Sequence, residues 1–284
     1  MRKRIAIGLT LVLLVVACVF GDRALGYPLL AGTAIVVMTL RSEHELIRML
    51  RGDRKAGRAA VLAGTGVLFV AVAAVREGWL ETQVGLVGGL LVGLFLILLS
   101  ATFRLQRGPD DETPKLALDL AAGALCLLWL ALPMALLLEM ALLHPGGQGT
   151  LFAGFLVLLS KCGDIGGYLA GTLFGKHRVM PRVSPKKSYE GSLGGFLLTW
   201  GLAAAVHAWM PELMPGLNGA EVLLFALLVN LATQAGDFAE SMVKRSCGVK
   251  DSANLLPTFG GALDIIDSLL LAVPAAWVGF HCWS

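Results

Sequence analysis

The sequence predicts an all-α fold, a polytopic transmembrane helical bundle of about nine membrane-spanning helices, and three observations carry the prediction. First, 56% of the 284 residues are hydrophobic and only 15% are charged, against about 25% charged in an ordinary soluble domain. The mean hydropathy is +0.76, so hydrocarbon must solvate much of the exterior. Second, apolar stretches approaching the ~20 residues that cross a ~30 Å hydrocarbon core recur along the chain. Third, Lys and Arg collect in alternate polar segments, as they do when a chain crosses a bilayer repeatedly.

Taken in order, Met1-Arg2-Lys3-Arg4 followed by Ile5 to Phe20 has the form of a signal peptide, and Val15-Val16-Ala17-Cys18 that of a lipoprotein cleavage box. Because the remainder is also apolar, a retained first helix over 5–20 is the simpler expectation. Further spans are expected at 25–40, 59–75, 84–100, 116–138, 150–174, 191–210, 220–238 and 261–282, the second shortened by Gly26-Tyr27-Pro28. Glycines inside the spans, such as Gly85, Gly88, Gly89 and Gly93, suit close helix–helix approach through small residues. With the N-terminus inside, segments 1–4, 41–58, 101–115, 175–190 and 239–259 hold three, six, three, five and three basic residues, 20 of the 23. That asymmetry makes these segments cytoplasmic. The expected division is an N-terminal region, 1–149, of about five spans and a catalytic transmembrane region, 150–284, with cytoplasmic motif loops.

A net charge of +3 offers no bulk basicity for nucleic acid. The five cysteines, Cys18, Cys126, Cys162, Cys247 and Cys282, lack CxxC spacing and read as buried apolar residues or free thiols. No Ser-His-Asp arrangement is evident.

An ionisable group in hydrocarbon costs about 2.5–3.5 kcal/mol on insertion scales, which makes each one a site candidate. Asp164, Asp237, Asp264 and Asp267 come from three helices, yet all fall in the inner half of the membrane. Asp264 and Asp267 are spaced i, i+3 and share a helix face. Two carboxylates there repel unless a cation separates them, and hard oxygens without thiolate or imidazole partners suit Mg2+. The competing reading is a solvated pair at a helix start, where the macrodipole favours acids. Asp237, Glu240, Ser241 and Lys244 form one stripe continuing out of the eighth span, followed by Arg245, Lys250 and Asp251. Acids for metal and bases for phosphate on one segment meet the needs of a nucleotide triphosphate; a topogenic basic anchor accounts for Lys244 and Arg245 but not for Asp237. Ser184-Pro185-Lys186-Lys187 leads into the glycine-rich start of another helix and could clamp phosphates, although the GxxxxGK[ST] order is absent. Lys161 stands i, i+3 from Asp164, as an intramembrane ion pair would.

These residues carry a resemblance. Ser241-Met242-Val243-Lys244-Arg245, four residues, Lys250-Asp251, then Pro257-Thr258-Phe259-Gly260-Gly261-Ala262-Leu263-Asp264-Ile265-Ile266-Asp267 is similar to the C-terminal signature of the phosphatidate cytidylyltransferases (CDP-diacylglycerol synthases). Upstream, Asp164-Ile165-Gly166-Gly167-Tyr168 and the stretch from Ser184 to Gly191 look like other recurring segments of that family. Residues 150–284 carry the likeness strongly, the first half by hydropathy alone. Phe259 and Ile265 stand where the family usually has His and Arg, and Thr258 where glycine is usual.

The resemblance implies transfer of a cytidylyl group from CTP to phosphatidic acid, with Mg2+, alone or with a second metal ion, held by Asp237, Asp264 and Asp267. Lys244, Arg245, Ser184, Lys186 and Lys187 would contact CTP or lipid phosphate, with Ser241, Lys250, Asp164 and Asp251 in the same site. The expected setting is the cell (inner) membrane, multi-pass, with N-terminus and active site cytoplasmic and a homodimer as the candidate assembly. Alternatives are a polyprenol kinase, a CDP-archaeol-type synthase, a catalytically retired relative, or an ion or solute transporter using the same acids as a relay.

Overall fold

The computed structural model describes residues 2–52, 57–107, 113–143, 148–255 and 260–283. Among these, the fold is all-α apart from one small hairpin. The helices are α1 (Arg2–Leu25), α2 (Leu29–Arg51), α3 (Arg58–Arg76), α4 (Thr82–Arg107), α5 (Thr113–Leu125), α6 (Leu132–Leu143), α7 (Gly149–Phe174), α8 (Tyr189–Trp209), α9 (Gly219–Ser246), α10 (Leu263–Ile266) and α11 (Leu269–Trp283). A π-helical turn, Cys126–Ala131, joins α5 to α6 in one rod. It precedes Pro133, whose ring clashes with the carbonyl four residues back and cannot donate a backbone hydrogen bond. α10 and α11 likewise form one rod, so nine helical rods result.

Among the described residues, seven helices are long and apolar enough to cross a membrane: Arg58–Arg76, Thr82–Gln106, Lys115–Leu142, Gly149–Phe174, Tyr189–Trp209, Gly219–Ser246 and Leu263–Cys282. Large apolar side chains such as Val70, Leu91, Phe95, Leu173, Trp209 and Leu231 point outward, as a hydrocarbon-solvated exterior requires. Phe152, Phe225, Leu127, Leu130, Met134 and Leu270 fill the interior between α6, α7, α9 and α11.

Two elements differ from expectation. α2 runs to Arg51, well beyond the apolar run at 25–40, into a segment expected to be a cytoplasmic loop. It starts at Leu29 because Gly26 turns the chain at φ 69° and Asp22 accepts the free amides of Leu30 (2.6 Å) and Ala31 (2.9 Å). It continues because Ser42, Glu43, Glu45, Leu46, Ile47 and Arg51 are buried by neighbouring helices, and tertiary burial overrides the local polar composition. Segment 175–190 is built rather than loose: β1 (Arg178–Met180) pairs antiparallel with β2 (Ser184–Ser188), and the Ser188 hydroxyl caps α8 by accepting from Gly191 N at 3.1 Å.

Glycine rows set the closest approaches, as expected for Gly85, Gly89 and Gly93 but not for Gly88, where a Cβ would meet nothing within 4 Å. On α7 and α8, a Cβ at Gly166 would stand 2.6 Å from Gly194 O, one at Gly191 2.7 Å from Gly167 O, and one at Gly195 2.7 Å from Gly163 O. On α3 and α4, Gly64 and Gly93 meet backbone to backbone. Such contact gives association energy where lipid offers no hydrophobic drive between helices. Gly166→Val should therefore cost about 1–3 kcal/mol through overpacking, read as a lower thermal midpoint in detergent. Gly201→Val, where nothing lies within 4 Å, should leave the midpoint unchanged.

Candidate active site

Polar and charged side chains converge at one end of the bundle. α7 supplies Lys161 and Asp164, β2 supplies Lys187, α9 supplies Asp237 to Lys244, and the α10–α11 rod supplies Asp264, Asp267 and Ser268. The expected Lys161–Asp164 pair is present, with Nζ 3.3 Å from Asp164 Oδ2. The same ammonium donates to Ser268 Oγ at 2.8 Å and lies 4.0 Å from Asp267 Oδ1. Asp237 completes the group: Lys187 Nζ is 2.6 Å from its Oδ2, and Ser241 Oγ donates to its Oδ1 at 3.3 Å. Gly236 brings Asp237 beside Asp267, since a Cβ there would stand 2.6 Å from Asp267 O. Asp164, Asp237 and Asp267 all act electrostatically on Lys161.

Asp264 faces the other way. Its Oδ1 takes Lys244 Nζ at 2.5 Å, and its Oδ2 accepts from Ser252 N (2.8 Å), Ser252 Oγ (2.7 Å) and Gly261 N (2.7 Å). Lys244 also pairs with buried Glu240. Gly260, at φ 87°, makes the turn that permits this, in the left-handed region that glycine alone enters freely. The expected i, i+3 pair is thus split: Asp267 looks toward Lys161, whereas Asp264 is capped by a lysine and two backbone amides.

This arrangement bears on the expected metal. Among the described residues, no three His, Cys, Asp or Glu side chains close on one point, so Asp237, Asp264 and Asp267 do not form a joint cage. Asp237 and Asp267 still fit a divalent ion in chemistry and placement: both are hard oxygen donors on abutting backbones, with side chains 27% and 15% exposed. Mg2+ is ordinarily held by one or two carboxylates plus substrate phosphates rather than by an all-protein cage. Asp264, only 7% exposed and held by Lys244, Ser252 and Gly261, is less open to an ion than Asp237 or Asp267.

The hairpin stands over this group. His177 Nδ1 lies 2.6 Å from Glu190 Oε1, and Arg178 Nη1 donates to Lys186 O at 2.8 Å, fixing the strand that carries Lys186 and Lys187. Lys187 also lies 4.2 Å from the Phe238 ring centroid. Ser184 is half-buried on β2, and Lys186 is exposed beside it. Arg245 donates to Val249 O at 3.0 Å, and Arg245, Lys250 and Asp251 are exposed. Ile265 is half-buried on α10, and Pro257, Thr258 and Phe259 lie outside the described residues.

Two features escaped the sequence reading. One is a buried uncharged seam below the acids: Asn230 Nδ2 donates to Thr199 Oγ1 (3.2 Å), Gln234 Nε2 to Asn230 Oδ1 (2.7 Å) and Thr233 Oγ1 to Ser160 Oγ (3.2 Å). Its signal was the i, i+3, i+4, i+7 run of Asn230, Thr233, Gln234 and Asp237 along one face of α9. The other is Glu45 of α2, which reaches the C-terminal signature; three acids, Glu43, Glu45 and Asp53, within the basic segment 41–58 were its only trace.

The structure therefore defines a class: an integral membrane protein of many helices, with aspartates and lysines gathered at one end of its spans. The model of the cytidylyltransferase family matches residues 2–283, and the chain belongs to that family. It is 30% identical over 285 residues to the phosphatidate cytidylyltransferase of Mycobacterium bovis, covering 98% of this chain and 87% of that one. The Mycobacterium tuberculosis H37Rv protein of the same name is 30% identical over 98% of this chain and 81% of its own. That of Pseudomonas aeruginosa is 46% identical over 111 residues, 39% of this chain and 40% of its own.

Lys244 is the cation between Glu240 and Asp264, and its side chain is 10% exposed. Lys244→Met should destabilise the fold by about 3 kcal/mol or more, since removing one partner strands buried charge. Arg245→Met, on the exposed side, should not; thermal unfolding in detergent compares the two.

Proposed function

We propose that this chain transfers the cytidylyl group of CTP to phosphatidic acid, forming CDP-diacylglycerol and pyrophosphate. Family membership and near full-length likeness to phosphatidate cytidylyltransferases support the reaction. The observation that carries it is the meeting of Asp164, Asp237 and Asp267 with Lys161 and Lys187 at one end of the membrane helices.

A phosphate oxygen of phosphatidic acid attacks the α-phosphorus of CTP, a new P–O bond forms, and the bond to the β-phosphate breaks as pyrophosphate leaves. The nucleophile is already an anion, so the barrier lies in anion–anion repulsion and in charge growing on the leaving group. Mg2+, when bound by Asp237 and Asp267 with the CTP phosphates, would supply Lewis-acid neutralisation of that charge. The chain's residues do the rest. Lys161 offsets the mutual repulsion of Asp164, Asp237 and Asp267, and Ser241 and Lys187 hold Asp237. Lys186 and Lys187 on the hairpin, with Ser184, Arg245 and Lys250, would meet the triphosphate or the lipid headgroup as preorganised donors. Lys244 is tied to Asp264 and Glu240, and Asp264 serves to hold Lys244 and the Gly260-Gly261 turn. Asp251 lies at the rim.

The same reading makes α1 and α2 the remaining two crossings of a nine-span protein of the cell membrane, with N-terminus and site cytoplasmic. Buried pairs support it by joining the basic segments at one end: Asp119 binds Arg51 and Arg104, each at 2.5 Å, and Glu45 reaches Ser252. The lipid would then enter from the inner leaflet.

With purified protein, phosphatidic acid, Mg2+ and CTP labelled in turn at the α- and γ-phosphates, α-label should pass to the lipid and γ-label to pyrophosphate. Transfer of γ-label to lipid would identify a kinase instead. Asp267→Asn should lower turnover by about 10²–10³-fold or more, as loss of a charge-stabilising group at the reacting centre does, with an unchanged elution profile in detergent. Turnover near that of the native protein would remove Asp267 from the site.

A further inference from the structure

We propose that Glu45 of α2 is a positioning residue for this reaction, anchoring the turn that presents Asp264 and Asp267; the inference rests on the enzymatic reading above. Glu45 has a 2% exposed side chain and comes from the half of the chain that the signature does not include. Its Oε1 accepts from Ala262 N at 3.0 Å and pairs with Arg41 Nε at 3.2 Å. Its Oε2 accepts from Leu263 N at 3.0 Å and lies 2.8 Å from Ser252 Oγ. A carboxylate offers about four acceptor positions; here Ala262 N, Leu263 N and Arg41 fill three, and the fourth faces the Ser252 hydroxyl, whose single proton is shared with Asp264.

The geometry shows what this holds. Ala262 and Leu263 are the residues on which α10 begins, two and one positions before Asp264. Ser252 lies between Glu45 and Asp264, with its hydroxyl near both carboxylates. Gly261 fits between Glu45 and Ser252 because it has no side chain. Without the Glu45 carboxylate, two buried amides lose their acceptor and the turn loses its tie to α2. Asp267 follows one helical turn later, with its backbone against Gly236 and its carboxylate 4.0 Å from Lys161. A shift at Ala262 therefore moves Asp267 relative to Asp237, the pair assigned to the metal.

Glu45→Gln, in the full chain in detergent, tests this against simple loss of fold. Expected are a fall in kcat of about 10–100-fold, the range for groups that orient metal ligands, and a rise of about tenfold in the Mg2+ concentration giving half-maximal rate. The KM for phosphatidic acid should stay within about twofold, because Glu45 does not touch that substrate. Amide hydrogen exchange over residues 261–266 should speed up with no Mg2+ or CTP present, while exchange in α3 and α4 stays unchanged. Glu43→Gln, two residues away and bonded to Thr65 at 2.5 Å, should leave kcat and the Mg2+ midpoint at native values. Reduced turnover with the Mg2+ midpoint and local exchange both unchanged would overturn the proposal, as would native kinetics despite faster exchange. A native chain that turns over no CTP would instead defeat the enzymatic reading; the exchange arm would then decide alone whether Glu45 holds the turn.

Discussion

Keeping several carboxylates at the end of a membrane bundle requires that each meet a cation or a set of hydrogen-bond donors, and this constraint organises the C-terminal half. Lys161, Lys187 and Lys244 come from α7, the hairpin and α9, and each meets an aspartate from a different element. Because acids and bases arrive from separate helices, no single element can move without stranding a charge in a medium of low dielectric. Rigidity of the site is thus a consequence of its neutralisation.

That neutralisation needs backbones to come close, and glycine makes this possible. The facing rows on α7 and α8 let those helices touch main chain to main chain, which brings Asp164 on α7 and the hairpin leading into α8 to the same end of the bundle. Gly236 does the same for α9 and the start of the last rod, placing Asp237 beside Asp267. Below the acids, the Asn230, Thr199, Thr233 and Ser160 hydrogen bonds cross between α7, α8 and α9 without charge. The site therefore sits on a polar, hydrogen-bonded foundation rather than on an apolar core. In lipid, where apolar surfaces gain nothing from meeting, such contacts select helix partners.

The N-terminal half is a working part of the same structure. α2 carries Glu45 into the C-terminal signature, while Arg51 shares Asp119 with Arg104 and ties α2 to α4 and α5. A boundary between residues 149 and 150 describes where the signature lies, but hydrogen bonds more than 200 residues apart in sequence cross it.

Hydrophobic content, the spacing of apolar runs and the placement of Lys and Arg determined by themselves that this is a many-helix membrane protein, because solvation by hydrocarbon depends on composition and length alone. Nine helical rods among the described residues, seven of them long and apolar enough to cross a membrane, most of the close glycine contacts, the Lys161–Asp164 pair and the family were legible in the sequence, the last from the ungapped run between Ser241 and Asp267. What only the tertiary structure decided was the partner of each charge. An i, i+3 spacing puts Asp264 and Asp267 on one face, but the Gly260 turn and the break after Ile266 send one to Lys244 and the other toward Lys161. The extension of α2 through a basic segment, and the reach of Glu45 into the signature, were invisible because burial by distant helices, not local sequence, makes a charged stretch helical and gives a carboxylate its donors.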